Sequence, residues 1–158
     1  MTIPAKRSWE LAEENCYKYL KSKLAGIEGV SAYKAELPRT FSNASDMNVW
    51  AFEISGPGPV EPIMIKQAQK PACAYTMGAQ VMGVFADRVK AQQTAGLIMD
   101  NLPVDSDTIS AVTRFYYSEM PTLVREVVPI ARDNTTGGDQ RVWLLTFPMV
   151  VVFNNTRS

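Results

Sequence analysis

The pattern of hydrophobic and polar positions changes its period within residues 79–103, AQVMGVFADRVKAQQTAGLIMDNLP. Apolar side chains occupy both faces of a period-two pattern over residues 79–86, which predicts a strand. Asp87 follows where a helix N-cap is expected, because its carboxylate can accept from the free N–H groups of the next turn. A helical stripe then continues until Pro103, which disfavours helical geometry in the residue before it. The stripe consists of Ala91, Ala95, Ile98 and Leu102.

The same stretch has a second interpretation, one continuous helix from about Met77 to Leu102. Val81, Phe85 and Val89 lie at helical spacing, which allows it. The Asp87 cap and the VMGVF run favour the strand followed by a helix.

A first amphipathic helix is predicted over residues 8–25. Its apolar face consists of Trp9, Ala12, Cys16, Tyr19, Leu20 and Leu24. Three glutamates, Glu10, Glu13 and Glu14, crowd its first turns and lysines its last, which matches the helix dipole. We therefore interpret the glutamates as a solvated face rather than a metal site, with Glu14 and Lys18 as an i,i+4 pair.

Alternating or continuous apolar runs predict five further strands, at residues 30–37, 48–55, 109–117, 123–131 and 142–153. Pro129 indicates an edge or a bulge in its strand. The last run is apolar on both faces, so it is expected at the centre of the sheet or at a subunit contact. Pro148 within it predicts a bulge or bend. A polar loop is expected over residues 39–46, a turn after Pro103 and a hairpin loop over residues 132–140.

In chain order these elements predict an α+β fold: a mixed, mainly antiparallel β-sheet with two main helices packed on one face. The length favours a single domain over residues 1–158. The prolines and glycines of GPGPVEP, and the polar run after them, predict an irregular insertion over about 56–76 that is extended and on the surface. Flexible ends are expected at about 1–7 and 154–158.

The composition argues against most enzymatic and binding classes. The 158 residues include 16 basic and 16 acidic side chains, two cysteines and no histidine. A neutral chain is not expected to hold nucleic acid by phosphate contacts, and a zinc site or disulfide framework is not expected from two cysteines without a CxxC. The chain holds no run of roughly 20 apolar residues, the length that spans a membrane. We predict no enzyme activity, no cofactor and no metal.

The carboxylates near apolar runs are Glu53, Glu61, Asp87, Glu119 and Glu126. General acid–base catalysis needs paired groups with shifted pKa values, and Glu53 is the only acid of the five inside a strongly apolar element. It alternates away from Trp50 and Phe52, so a solvated outer face is the simpler account. A DSD triplet at residues 105–107 lacks the remaining ligands of a calcium loop.

What remains is a surplus of apolar, strand-forming residues, which favours association with copies or partners. The motifs are, in order, NVWAFEISG, then MGVFADR leading into a helix with AGLIM and LP, then VWLLTFPMVVVF. This order of motifs resembles that of the tail terminator and tail completion proteins of long-tailed bacteriophages. The resemblance covers about residues 8–153, and its motifs are structural.

The resemblance implies a small α+β virion protein, located in the tail and neck and assembled in the host cytoplasm. Such proteins form a homohexameric ring on the tail tube, stop its growth and meet the head-completion proteins of the neck. DNA passes through the lumen without sequence-specific binding, and no membrane is involved. Predicted subunit or partner contacts, chosen by exposure and residue type, are Arg39, Phe41, Arg132, Asn134, Arg141 and Trp143.

Three other interpretations stay open at this point: another connector component, either a head–tail joining protein or the tail tube subunit; a small ligand-binding α+β protein with an apolar pocket near Trp50 and Tyr75; and a dimeric interaction module. The absence of histidine and of a convergent polar set counts against the ligand-binding protein.

Overall fold

The computed structural model describes residues 5–38, 47–54, 63–65, 72–105, 108–129 and 139–156. These residues form two helices and eight strands. In chain order they are α1 (Ala5–Leu24), β1 (Ser31–Lys34), β2 (Asn48–Glu53), β3 (Ile63–Ile65), β4 (Ala72–Phe85), α2 (Arg88–Asn101), β5 (Val104–Asp105), β6 (Val112–Tyr117), β7 (Thr122–Pro129) and β8 (Asp139–Thr156).

All eight described strands belong to one sheet in the order β1-β2-β4-β8-β6-β5, with β3 on β4 and β7 on β8. The pair of β1 and β2 is parallel and every other described pair is antiparallel. The two longest strands, β4 and β8, pair without a break from Ala72 with Thr156 to Phe85 with Trp143. The predicted α+β fold with a mixed, mainly antiparallel sheet is confirmed, and β8 lies centrally as its apolar faces predict.

Both helices cover the same face of the sheet, and the main core lies between the two layers. The aromatic side chains pointing into it are Trp50, Phe52, Phe85, Phe115, Phe147 and Phe153, each no more than 2% exposed. Burial of one such side chain stabilises the fold by roughly 1.5–3 kcal/mol. Four buried residues of α1 and three of α2 close this core: Ala12, Cys16, Leu20 and Leu24, then Ala91, Thr94 and Ile98.

The junction between β4 and α2 follows the predicted strand and helix, and the single-helix interpretation is wrong. Asp87 has extended backbone angles, φ −103° and ψ 113°, and its carboxylate accepts from the Val89 N–H at 2.9 Å. Residues before it pair with both β2 and β8, which a helix cannot do. The helix ends at Asn101, and Leu102 before Pro103 is extended at φ −122° and ψ 150°.

Pro148 makes no bulge, which was one of its two predicted effects. The β4–β8 register runs straight through Gln80 opposite Pro148. Instead, Pro148 marks where the neighbour on the other side changes, since β7 pairs with β8 only up to Thr146 and β6 begins at Met149. The Pro148 carbonyl accepts from the Ser118 N–H at 3.1 Å, so the side of Pro148 that lacks an N–H faces this gap between strands.

β7 pairs with β8 alone among the described strands, as Pro129 predicts for an edge. The register shift in this part of the sheet falls in β6, between Val112 and Arg114.

Several boundaries differ from the predicted ones. Helix α1 begins at Ala5 rather than residue 8, so its first turn contains no acidic residue. β8 continues to Thr156, and β3 with the start of β4 forms a hairpin inside the predicted irregular insertion. The predicted turn after Pro103 contains the short strand β5, which pairs with β6. Long-range pairing extends these elements beyond their local signals, because ladder hydrogen bonds satisfy backbone groups that the sequence pattern does not mark.

Candidate interaction surface

The predicted contact residues divide into two groups. Arg39, Phe41, Arg132 and Asn134 lie outside the described residues. Arg141 and Trp143 lie on β8, where it pairs with β7. Arg141 is exposed and Trp143 is half-buried against the core. Their role as contacts stays a prediction.

Trp143 lies between two arginines that come from different elements. The Arg88 guanidinium carbon, in the first residue of α2, is 5.1 Å from the indole ring centroid. The Arg125 guanidinium carbon, directly opposite on β7, is 5.7 Å from it. Each such cation–π contact at an exposed site contributes about 0.5–1 kcal/mol. The ring therefore brings both guanidinium groups together at one end of the sheet.

These three residues and their neighbours on α2, β7 and β8 make up what we call the arginine–tryptophan surface. It consists of Arg88, Val89, Arg125, Val127, Arg141 and Trp143. Val89 is 58% exposed and Val127 is 53% exposed. Tryptophan and arginine next to exposed apolar side chains are the residue types enriched where protein interfaces concentrate their binding energy. The patch is therefore the strongest candidate for partner contact among the described residues.

The sheet face away from the helices is partly open. Met47, Val49, Val84 and Val142 form a small buried cluster that closes one part of it. Further along, Val124 is 50% exposed, and Leu144, Val150 and Val152 are only half-buried. A partly exposed apolar sheet face is a feature of association surfaces.

Several described strands have a hydrogen-bonded neighbour on one side only. In the described part of the chain, β1, β3, β5 and β7 each pair with a single neighbour. β7 carries Arg125, Glu126 and Pro129, which are residue types that limit uncontrolled edge pairing. An edge protected in this way favours specific contacts over aggregation.

Three of the acidic residues considered in the sequence have structural contacts, whereas Glu119 and Glu126 are exposed. Glu53 lies on the sheet face away from Trp50, as predicted, and accepts from the Gln80 side-chain amide at 2.8 Å. Asp87 caps α2. Asp105 pairs with Arg114 at 3.5 Å. Glu61 and residues 106–107 lie outside the described residues. Among the residues with described placement, no group of three or more histidine, cysteine, aspartate or glutamate side chains could hold a metal ion.

Two side chains among the described residues, Cys16 and Tyr19, have shifted pKa values. Burial raises the pKa of the Cys16 thiol, and nearby Glu13 adds to the effect, so the thiol stays protonated and unreactive. Burial also raises the pKa of Tyr19, whose hydroxyl donates to the Asn101 carbonyl at 2.9 Å. Neither described helix is long and apolar enough to cross a membrane.

Reasoning from the sequence missed Arg88 and Arg125. A local signal exists for each, since Arg88 directly follows the Asp87 cap and Arg125 shares one face of β7 with Leu123 and Val127. The pairing of β7 with β8 brings Arg125 onto Trp143, and the pairing of β4 with β8, which sets Phe85 opposite Trp143, brings the start of α2 and Arg88 there.

Comparison with known proteins assigns this chain to no family. No protein-family model matches the chain, and no curated protein matches it. A chain of the solved structure described as "Virion of native gene transfer agent (GTA) particle" is similar over 84% of this chain and 84% of that chain, with 14% identity and a TM-score of 0.30. A likeness of this size assigns no function. The fold and site define an α+β protein whose best-supported candidate site is an interaction surface.

Proposed function

We propose that this chain is a structural subunit of a phage-like virion, which caps the tail tube as a hexameric ring. In this role it ends tube polymerisation and joins the tail to the neck proteins. Its function is assembly without turnover, and DNA passes through the lumen without base-specific contacts.

The observation that carries the proposal is the arginine–tryptophan surface. It combines an aromatic anchor, two arginines brought together by it and exposed valines at one end of a rigid sheet. Such a surface supports contact with a protein partner. The resemblance of the motif order to tail terminator proteins indicates which kind of assembly this contact would serve.

The charge balance supports a lumen that does not retain DNA. With 16 basic and 16 acidic residues, the chain has no excess of positive charge for neutralising many phosphates. A ring of such subunits lets a duplex pass without binding it strongly.

Electron microscopy and light scattering of the purified chain, with and without purified tail tubes, test the proposal. We expect closed rings that cap one end of each tube. Long cylinders formed by the chain alone would instead identify a tube subunit. Monomers that leave tube ends uncapped at all concentrations would contradict a role in this assembly.

A further inference from the structure

We propose that the arginine–tryptophan surface of one copy docks into a groove along one side of α2 on the next copy. This inference rests on the proposed function and names the contact between neighbouring subunits of the ring. The partner is a second copy of this chain, and the argument is charge and shape complementarity between two surfaces of one molecule.

The groove lies between the turn that follows α1 and one side of α2, and has a volume of about 650 Å³. Ile27 and Leu97 give it apolar walls, while Glu28 and Asp100 place carboxylates along it. Gly96 leaves open space, since a Cβ built there would meet nothing within 4 Å. The groove is therefore open enough to receive side chains from outside.

The charges in the groove favour a basic occupant. Within the described part of the chain, neither Glu28 nor Asp100 has an ion-pair partner. Lys90 is the one basic residue of the lining, and its ammonium lies over Gly29, 2.7 Å from where a Cβ would stand. The lining thus has two carboxylates against one ammonium, a net negative charge.

The arginine–tryptophan surface offers the complementary groups. Arg88 and Arg125 stack on Trp143, and neither is ion-paired to a described carboxylate. A stacked guanidinium keeps its N–H groups available for bidentate contact with a carboxylate. Val89 and Val127 are the exposed apolar side chains beside them, and they match the apolar walls of the groove.

The positions of the two surfaces dictate a head-to-tail contact. Arg88 begins α2 and Asp100 lies twelve residues later in the same helix, about 18 Å along its axis at 1.5 Å per residue. The groove runs along α2 from Lys90 to Asp100, so Arg88 lies near one end of it but cannot reach the Asp100 carboxylate of its own copy. A contact between two different patches is heterologous, and repetition of it closes into a ring when the rotation permits.

A nucleic acid is the weaker candidate for the same surface. Interfaces with DNA are much more positively charged than those with proteins, whereas here the arginines lie beside Asp87, Val89 and Val127. Exposed valines gain free energy against an apolar wall and gain little against phosphates.

Charge reversal with mixing tests the contact. One double variant, Arg88→Glu with Arg125→Glu, reverses the surface, and another, Glu28→Lys with Asp100→Lys, reverses the groove. We expect each alone to weaken self-association at least tenfold, because like charges then meet. An equimolar mixture is expected to recover wild-type assembly, since each variant's surface complements the other's groove and the two alternate around a ring.

The matched control is Lys34→Glu with Arg114→Glu, which changes the net charge by the same amount as the surface variant. Lys34 is exposed on β1, and Arg114 is an exposed strand arginine 4.9 Å from the Tyr116 ring centroid, outside both surfaces. The ion pair of Arg114 with Asp105 is exposed, so its loss costs under about 1 kcal/mol. Mass distributions from analytical ultracentrifugation report assembly, and melting temperatures report folding. If the surface variant does not fold, Arg125→Gln replaces it, and if the groove variant does not fold, Asp100→Asn replaces it. Each of these single variants is expected to weaken self-association less than the double variant.

The outcomes separate this inference from the proposed function. Rings that form equally well from either reversed variant overturn the contact and leave the ring-forming role standing. Folded variants that both fail to assemble and do not recover on mixing also overturn it. If the wild type binds DNA and the Arg88→Glu, Arg125→Glu double variant does not, the surface is a nucleic-acid contact instead. A wild type that never assembles, with or without tubes, overturns both proposals.

Discussion

The side-chain oxygen of Asn48 accepts a hydrogen bond from the backbone N–H of Asp87 at 3.1 Å. Asn48 is only 7% exposed, at the start of β2, and Asp87 is the N-cap of α2. The contact joins the first residue of β2 to the junction between β4 and α2. It fixes the direction in which α2 leaves the sheet, and with it the position of Arg88.

Replacement of either member of this pair is expected to destabilise the fold. Asp87→Ala removes the cap and should lower the free energy of unfolding by about 0.5–2 kcal/mol. Asn48→Ala leaves the Asp87 N–H without its partner and should lower it by about 1–3 kcal/mol. Urea denaturation measures both, with Gln92→Ala on the exposed side of α2 as a control expected within about 0.5 kcal/mol of wild type. Losses no larger than that of the control would contradict the role given to this contact.

Two glycines are expected to respond to alanine in opposite directions. A Cβ at Gly83 would lie 2.3 Å from the Phe85 ring, inside the core, so Gly83→Ala should destabilise the fold by about 1–3 kcal/mol or more. Gly96 lies within α2 with open space around it, so Gly96→Ala should stabilise by about 0.5–1 kcal/mol. Thermal unfolding of the two variants compares them directly, and equal effects of the same sign would refute the packing described at Gly83.

Two neighbouring glutamates of α1 are expected to differ in their contributions. The Glu13 carboxylate accepts from the Ile54 N–H at 2.9 Å and joins α1 to the end of β2. Glu14 pairs with Lys18 at 3.3 Å on the exposed side of the helix. Glu13→Ala should lower the free energy of unfolding by about 1.5–3 kcal/mol, because a charged hydrogen bond is lost, and Glu14→Ala by under about 0.5 kcal/mol. Denaturation midpoints measure the difference. Equal and small losses for the two variants would contradict the contact with Ile54 and support the sequence interpretation of a uniformly solvated face instead.

Stability should decline at alkaline pH. Burial raises the pKa of the Cys16 thiol above its usual 9.0 and that of the Tyr19 phenol above its usual 10.0. The folded state therefore keeps protons that the unfolded state loses, so this stability is complete below about pH 9 and falls as the pH rises beyond it. Cys16 alone can lower the free energy of unfolding by up to about 1.4 kcal/mol per pH unit in that range.

Urea titrations between about pH 7 and pH 11, at one protein concentration, measure this decline. The Cys16→Ala, Tyr19→Phe double variant is expected to be less stable at neutral pH but flatter in its pH dependence. Parallel curves for the wild type and the double variant would show that other groups cause any alkaline loss.

Predictions from the sequence were most accurate where a single residue has one strong local conformational preference. Asp87 as a cap and Pro103 after a helix end were read correctly, because capping and proline sterics act within a few residues. The bulge predicted at Pro148 is absent, because the effect of a proline within a strand depends on which strand lies beside it. Glu13 looked solvated, because the Ile54 N–H that it meets lies 41 residues away in the chain.

By itself, the sequence determined the fold class, the strand and helix on either side of Asp87, the central position of β8 and the neutral charge that disfavours phosphate binding. Periodicity and capping are short-range properties, so one chain displays them without its fold. Only the tertiary structure decided that Arg88 and Arg125 meet on Trp143, and that Glu28 and Asp100 line one groove. These contacts depend on strand register and helix placement, which are settled by burial of the whole core rather than by any local stretch.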